Sequence, residues 1–364
     1  MALTLKNNIS EVVIPLLKEL VATPSFSKEE GHTASKIFTF LEGKNVSAFR
    51  KGNNVWARNK YFDVSKPTIL LNSHHDTVKP NTGYIRDPFE PVVEDGKLYG
   101  LGSNDAGGPL VALLGTFLYF HECDNLPLNI IYAATAEEEI SGKEGIESII
   151  PQLGNIHLAI VGEPTLMKMA VAERGLMVLD CLASGKAGHA ARNEGINAIY
   201  LAMADIEWFR FYKFGKTSEW LGPVTMNVTV IKAGLAHNQV PATCDFVVDV
   251  RLNECYTHEE VLATIRQNVT CAIKERSTRI KPSFIETSHP IVEAAKRLNI
   301  PLYGSPTTSD MALMPWKAVK IGPGDSLRSH SADEFVYLNE IGEGIDKYIQ
   351  LLEAYSQQIK QNGV

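Results

Sequence analysis

Five positions spread over most of this 364-residue chain carry side chains that metal ions take as ligands. They are His74 in Ser73-His74-His75-Asp76, Asp105 in Gly102-Ser103-Asn104-Asp105, Glu139 in Glu137-Glu138-Glu139, Glu163 in Gly162-Glu163-Pro164-Thr165, and His330 in Ser329-His330-Ser331. Two imidazoles and three carboxylates form the donor set that a pair of zinc-like ions takes. Taken singly, each group has an ordinary reading. A His-x-Asp is most often a structural polar cluster, Asp105 suits a helix N-cap, an acidic triplet is usually a solvated face, and His330 is an unremarkable loop histidine. Their placement beside buried runs favours the ligand reading. Residues two apart on a strand share a face, so Asp76 can stand behind His74 and fix its tautomer, while His75 points the other way. Glu137-Glu138-Glu139 follows the apolar run Ile131–Ala136 directly. Neighbouring carboxylates there can divide the work, Glu139 holding metal and Glu138 serving as the base that a hydrolase needs beside the attacking water. Gly100 and Gly102 imitate the start of a dinucleotide loop, but Asp105 stands where the third glycine belongs, and a carboxylate repels phosphate.

The elements that must position these groups are legible as buried strands at Pro67–Asn72, Leu126–Ala134 and His157–Val161, alternating with helices at Gly107–Cys123 and near 143–150. Such alternation implies a parallel sheet covered on both faces. His74, Glu139 and Glu163 each follow one of the three strands, and open α/β sheets bind ligands beyond the carboxyl ends of their strands. Ser27-Lys28-Glu29-Glu30 has the form of a capping box and predicts a helix from there to about Leu41. The texture changes after Lys168. Half-buried strands are expected at 177–183, 224–232 and 245–252, with helices at 195–212 and 257–274, the second opened by a capping box at Thr257–Glu260. A further αβ stretch (Pro290–Leu298, then Ala318–Ile321) leads to His330, and Leu338–Gln358 has helical periodicity. For His330 to join the site, a smaller α+β domain at 171–283 must be inserted into a catalytic metal-binding domain made of 1–170 and 284–364.

Composition narrows the function classes. A net charge of −7 without a basic run argues against a nucleic-acid partner. The uncharged apolar segment Gly107–Phe120 is shorter than the roughly 18 residues of a membrane span, so no membrane association is expected. Met1–Lys18 lacks the pattern of a secretory signal. Five cysteines with no Cys-x-x-Cys pair suggest neither a disulfide framework nor a cysteine zinc site, and fit the cytoplasm.

The ordered set resembles the dinuclear zinc deacylase and peptidase family that includes acetylornithine deacetylase, succinyl-diaminopimelate desuccinylase, aminoacylase and carboxypeptidase G. The resemblance covers nearly the whole chain. It implies a zinc-exopeptidase-like catalytic domain with an inserted lid and dimerisation domain, and two divalent ions per chain, zinc foremost, with cobalt or manganese compatible. It implies that Asp105 bridges the ions, that His74 and Glu163 hold one, that Glu139 and His330 hold the other, and that Glu138 is the general base. Asp76 takes the place of the family's strand-end aspartate. In the lid, Gly185-Lys-Ala-Gly-His189-Ala and Gly195-Ile-Asn-Ala198 match the motif whose histidine stabilises the tetrahedral intermediate, often in the partner subunit's site. Asn238 and Arg251 match substrate-contacting positions, and Arg251 suits a bidentate carboxylate clamp. Arg192-Asn193 departs from a proline common in that loop. The implied reaction is deacylation of a small N-acylated amino acid by a homodimer, foremost N2-acetylornithine, with N-acetylcitrulline, N-succinyl amino acids and carrier-linked lysine or ornithine as alternatives. A metal-binding relative acting only as an interaction protein is the reading from another class, and the intact Glu138 argues against it.

Overall fold

Strands Ala48–Lys51 (β1), Asn54–Arg58 (β2), Thr68–His74 (β3), Asn129–Thr135 (β4), Leu158–Val161 (β5), Met169–Glu173 (β6) and Ala318–Lys320 (β7) run side by side in the order β1-β2-β4-β3-β5-β7-β6. The computed structural model from which this is read describes residues 9–192 and 194–362. Residues 1–8, the start of the segment read for a secretory signal, and Asn193 lie outside the described residues. The four central strands are parallel, β4 beside β3, β3 beside β5 and β5 beside β7. The flanks are antiparallel, β1 on β2, β2 on β4 and β7 on β6. Every residue of β3, β4 and β5 is buried. That is why they read as continuous apolar runs rather than alternating ones. After β3 the chain steps to one side to make β4 and then to the other to make β5, so a crevice opens beyond the carboxyl ends of these strands.

Helix Gly108–His121 (α3, following α1 at Ile9–Val21 and α2 at Gly31–Gly43) packs against β3, β4, α1 and the C-terminal helix Leu338–Asn362. It is enclosed almost all round, which its nearly uncharged sequence permits. Pro109 in its first turn gives up a backbone N–H that needs no helical partner. Trp56, Leu70, Ile131, Ile149 and Met311 join one core cluster. Among the described residues, no helix is long and apolar enough to cross a membrane.

Contacts divide the chain into two units. The first holds the residues up to Val171, Ile285–Tyr303 and those from Ser309 onward. The second holds Ala172–Phe284 together with the short segment Gly304–Thr308. The second unit contains a four-stranded antiparallel sheet in the order Thr225–Ala233, Thr243–Leu252, Gly175–Ser184, Ala272–Glu275. Burial alternates along its two inner strands, as expected of a sheet covered on one face. Helices Ala198–Phe211 and His258–Asn268 supply the cover, placing Ala202, Phe209, Val261 and Ile265 on Leu179, Phe246 and Val248.

Two sequence expectations are corrected. No helix starts at Ser27: Lys28 has φ +78°, and α2 begins at Gly31. The side chains that suggested a cap are used at long range, as shown below. The helix expected over 257–274 ends at Asn268, because Asp205 accepts the backbone N–H groups of Thr270 and Cys271, both at 2.9 Å, and leads the chain into strand Ala272–Glu275. The capping box at its start is present, with Thr257 Oγ1 accepting from Glu260 N at 3.2 Å and Glu260 Oε2 accepting from Thr257 N at 2.9 Å.

Candidate metal centre

All five candidate ligands and Glu138 belong to the first unit. His74 is the last residue of β3, Glu138 and Glu139 lie in the turn that follows β4, and Glu163 stands two residues beyond β5. Gly162 permits this last approach, since a Cβ there would lie 2.7 Å from Leu113 Cδ1. Asp105 sits in the loop before α3, entered through Gly102 at φ +74°. There a Cβ would lie 2.4 Å from Thr77 Cγ2. His330 arrives on a loop between β7 and the C-terminal helix, at φ +56°.

The side chains converge. His74 Nε2 lies 3.3 Å from Asp105 Oδ1, 3.8 Å from Glu163 Oε1 and 3.9 Å from Glu138 Oε2. His330 Nε2 lies 3.1 Å from Glu139 Oε2 and 3.7 Å from Asp105 Oδ2. Asp105 thus faces both imidazoles, one with each oxygen. Two ligand-like groups share His74: His74, Glu138 and Glu163 offer atoms within 4.8 Å of one another, as do His74, Asp105 and Glu139. Imidazole nitrogens and carboxylate oxygens gathered this closely are suited to divalent zinc, cobalt or manganese. Position alone leaves Glu138 two uses, ligand beside Glu163 or base beside an ion.

The donors are aimed by groups behind them. His74 Nδ1 lies 3.0 Å from the main-chain carbonyl of Asp76 and 3.4 Å from its carboxylate. With Nδ1 donating, Nε2 presents its lone pair to the site. The fully buried Asp76 carboxylate also accepts from Glu138 N at 3.0 Å, Glu139 N at 3.2 Å and Ser27 Oγ at 2.7 Å. Glu30, equally buried, accepts from Glu137 N at 3.2 Å, Asn53 Nδ2 at 2.8 Å and Lys28 N at 2.6 Å. Three successive N–H groups of the acidic turn are therefore held by two carboxylates. His75 turns away from the site, between Thr33 Oγ1 and the Asn53 carbonyl, both at 2.9 Å. Ser27, Glu30 and Glu334, which takes the same part for the Asp105 loop, are the supporting residues that sequence reasoning missed. The only sequence signal was polar character at positions that turn out to be buried.

Charge in the site is strongly one-sided. Burial, with the neighbouring Asp105 charge adding to it and His74 opposing it, pushes Glu163 up to about 8. Burial also raises Glu138 well above the ordinary glutamate range, with Glu163, Asp310 and Glu139 adding to it against His74. The hydrogen bond to Glu139 raises His330 to about 9. Burial would raise Asp105 too, but the His74 hydrogen bond and charge leave it below the ordinary aspartate range. The Lys320 charge also opposes the rise at Glu163; acids that hold protons this tightly are the acids that cations displace protons from.

The remaining predicted residues are in the second unit. His189 pairs with Gln239 in a short antiparallel ribbon, and Ala190 N donates to the Asn238 carbonyl at 3.0 Å, so the fold brings His189 and Asn238 together. Arg251 is held by its neighbour on the same strand face, Nε and Nη2 donating to the two oxygens of Asp249 at 2.8 and 3.0 Å. That uses one edge of the guanidinium and leaves the Nη1 edge for another carboxylate.

A family model described as peptidase family M20/M25/M40 matches residues 70–354. The chain is 28% identical over 360 residues to a LysW-lysine/LysW-ornithine hydrolase of Sulfurisphaera tokodaii, covering 96% of each chain. It is 25% identical over 279 residues to succinyl-diaminopimelate desuccinylase 2 of Ruegeria sp., covering 71% of this chain and 70% of that one. Aminopeptidase PepT of Bacillus cereus shares the fold with a TM-score of 0.77 at 18% identity, over 95% of this chain and 99% of its own. A dinuclear metal binding peptidase of Bacillus subtilis does so with a TM-score of 0.72 at 16% identity, over 95% and 98%. With the family model spanning most of the sequence and a donor set of buried and half-buried side chains in place, this chain belongs to peptidase family M20/M25/M40 and is a metal-dependent hydrolase.

Proposed function

We propose that the enzyme hydrolyses the amide of a small N-acylated diamino acid, N2-acetyl-L-ornithine foremost, releasing acetate and ornithine. The observation that carries the reaction class is the Glu138 carboxylate set beside His74 and Glu163 while its backbone N–H is fixed by Asp76. In this reading His74, Asp105 and Glu163 would hold one ion, and Asp105, Glu139 and His330 would hold the other. When bound, such a pair of ions supplies Lewis acidity and an acidified water. Glu138 takes a proton from the attacking water, and the oxygen adds to the acyl carbon. His189 donates to the developing oxyanion, in its own or a partner subunit. Glu138 then hands the proton to the amine nitrogen as the C–N bond breaks. Arg251 and Asn238 hold the amino-acid portion.

Similarity to proteins named for LysW-lysine, LysW-ornithine and succinyl-diaminopimelate favours a diamino-acid product and keeps two further readings in play. These are removal of a carrier protein from lysine or ornithine, and removal of a succinyl group; N-acetylcitrulline is the near neighbour of the leading substrate. The inserted unit is proposed as lid and dimerisation domain, at 171–283 by sequence. Its edge strand Thr225–Ala233 exposes Val230 and Ile231, and its helix Ala198–Phe211 exposes Tyr200, Met203 and Phe211, the kind of unpaired edge and apolar face that a second copy covers. Free cysteines among the described residues support a cytoplasmic setting. The test is mass-spectrometric detection of product from purified, Zn²⁺- or Co²⁺-loaded enzyme given N-acetylornithine, N-acetylcitrulline, N-succinylornithine, N-succinyl-diaminopimelate and carrier-linked ornithine. Preference for acetylornithine supports the leading reading. Preference for a succinyl or carrier-linked substrate replaces it while leaving the chemistry intact.

A further inference from the structure

Glu334 lies four residues after His330, yet its side chain does not face the donor cluster. It is buried, 2% exposed, and it reaches the loop that presents Asp105. Its Oε1 accepts from Asn104 N and Asp105 N, both at 2.9 Å, and its Oε2 accepts from Gly102 N at 3.1 Å. Its own carbonyl accepts from Gly100 N at 2.9 Å. A second tie joins the same two segments. Asn104 Oδ1 accepts from Asp325 N and Asn104 Nδ2 donates to the Asp325 carbonyl, both at 3.0 Å, pairing amide with backbone. Segment 100–105 is thus tied to Glu334 and to Asp325, with Asp105 N itself among the tied groups and His330 lying between the two anchor points of segment 325–334.

Burial and the nearby Asp105 charge both oppose a carboxylate at this position. Nothing in packing alone calls for an acid here, since an apolar side chain would fill the space without that penalty. What an acid supplies is three strong acceptor contacts to N–H groups that have no other partner among the described residues. It also ties the orientation of Asp105 to the position of the His330 loop. Asn81 Nδ2, donating to the His330 carbonyl at 3.0 Å, and the Arg328–Glu340 pair at 2.7 and 2.9 Å fix the rest of that loop.

We infer that Glu334, assisted by Asn104, is a positioning residue for metal binding, holding Asp105 and His330 at the separation that lets one ion contact both. The inference rests on the reading of Asp105, Glu139 and His330 as ligands. It specifies graded consequences. Glu334→Gln keeps Oε1 for Asn104 and Asp105 but sets an amide NH₂ against the Gly102 N–H. Glu334→Ala removes all three acceptors. Asn104→Ala removes the second tie and leaves Glu334 untouched.

The experiment is chelator competition for Co²⁺ on metal-stripped full-length protein, followed by the visible absorption of the bound Co²⁺, with melting of each stripped variant alongside. Glu334→Gln and Asn104→Ala are expected to fold cooperatively, to weaken Co²⁺ binding about 10–100-fold and to alter the Co²⁺ spectrum. Glu334→Ala is expected to weaken binding further. Glu334→Gln and Asn104→Ala variants that melt lower but bind Co²⁺ with parental affinity and spectrum would show a merely structural role and overturn the inference. His330→Ala separates the two levels: parental Co²⁺ affinity in that variant overturns the ligand reading itself, and with it the premise of the fastener.

Discussion

Glu138→Gln separates the two uses that geometry leaves to this side chain. As the base, Glu138 contributes proton transfer that is worth about 10²–10⁴-fold in rate, or about 2.7–5.4 kcal/mol of barrier at about 1.36 kcal/mol per decade. Burial, with the charges of Glu163, Asp310 and Glu139, raises its proton affinity, which moves it toward the range where a base works best near neutral pH. Glutamine keeps the shape and the backbone hydrogen bond to Asp76 but takes no proton. His74, Asp105, Glu139, Glu163 and His330 all remain, so metal content should stay at the parental value. Stripped protein should not lose stability, because the change deletes a carboxylate whose ionisation its surroundings oppose. The assay is kcat and KM on the best substrate, with metal per chain measured by plasma mass spectrometry on the same samples. The expected result is a fall in kcat of about 10²-fold or more at parental metal content and little change in KM. Loss of one ion per chain, with activity restored by excess metal, would refute the reasoning and make Glu138 a ligand beside Glu163.

Three further outcomes follow from the same geometry. Glu163 has its folded-state pKa raised from 4.5 to about 8, so the folded chain binds the extra proton across that window; stability of stripped protein falls as pH rises through it, and Zn²⁺ should raise the melting temperature more near about pH 8 than near about pH 5.5, where protons compete for the ligands. An equal rise at both pH values would count against Glu163 as a ligand. Ser27→Ala removes one donor from the buried Asp76 carboxylate and should cost about 1.5–3 kcal/mol in urea unfolding; an unchanged midpoint would show that this bond carries no weight. Ile231→Lys places a charge on the exposed edge strand and should shift the proposed dimer to monomer by light scattering, whereas an unaltered dimer mass would exclude that edge as the interface.

His74, Glu139 and Glu163 were read as candidate donors because each follows a buried apolar run, where a charged residue has few structural uses; Asp105 and His330 lie in loops and carried no such signal on their own. A parallel sheet was implied by the alternation of strand and helix, but the antiparallel flanks β1, β2 and β6 were not, since no strand was read at those positions. The supporting residues were illegible for a different reason. Ser27 meets its partner 49 residues away, Glu30 reaches Glu137 across 107, and Glu334 reaches the Asp105 loop across 229 to 232. Their partners are mostly backbone N–H groups, which every residue carries, so no residue type at the far end marks the contact. Ser27 and Glu30 were drawn into a local capping pattern that the backbone at Lys28 does not support.

The buried and half-buried acids of the first unit divide by what they face. Asp76, Glu30 and Glu334 each accept at least two protein N–H or O–H donors and are satisfied within the chain. Asp105, Glu138, Glu139 and Glu163 direct their oxygens at a shared space in which His74 and His330 are the opposing nitrogens. The first kind stabilises loops; the second leaves like charges in proximity, a cost that folding tolerates only where something positive is to be bound. Asp310 stands between the two kinds. It is buried and pushed up to about 6 by burial, it accepts from Thr135 Oγ1 at 2.7 Å, and it feels the charges of His74 and Asp76. Thr135 is the last residue of the strand that leads into the acidic turn, so Asp310 acts on that strand end from behind. By the same criterion it belongs with the residues that hold the site's loops in place, and its charge, felt at Glu138, adds to the demand for cations without contributing a ligand.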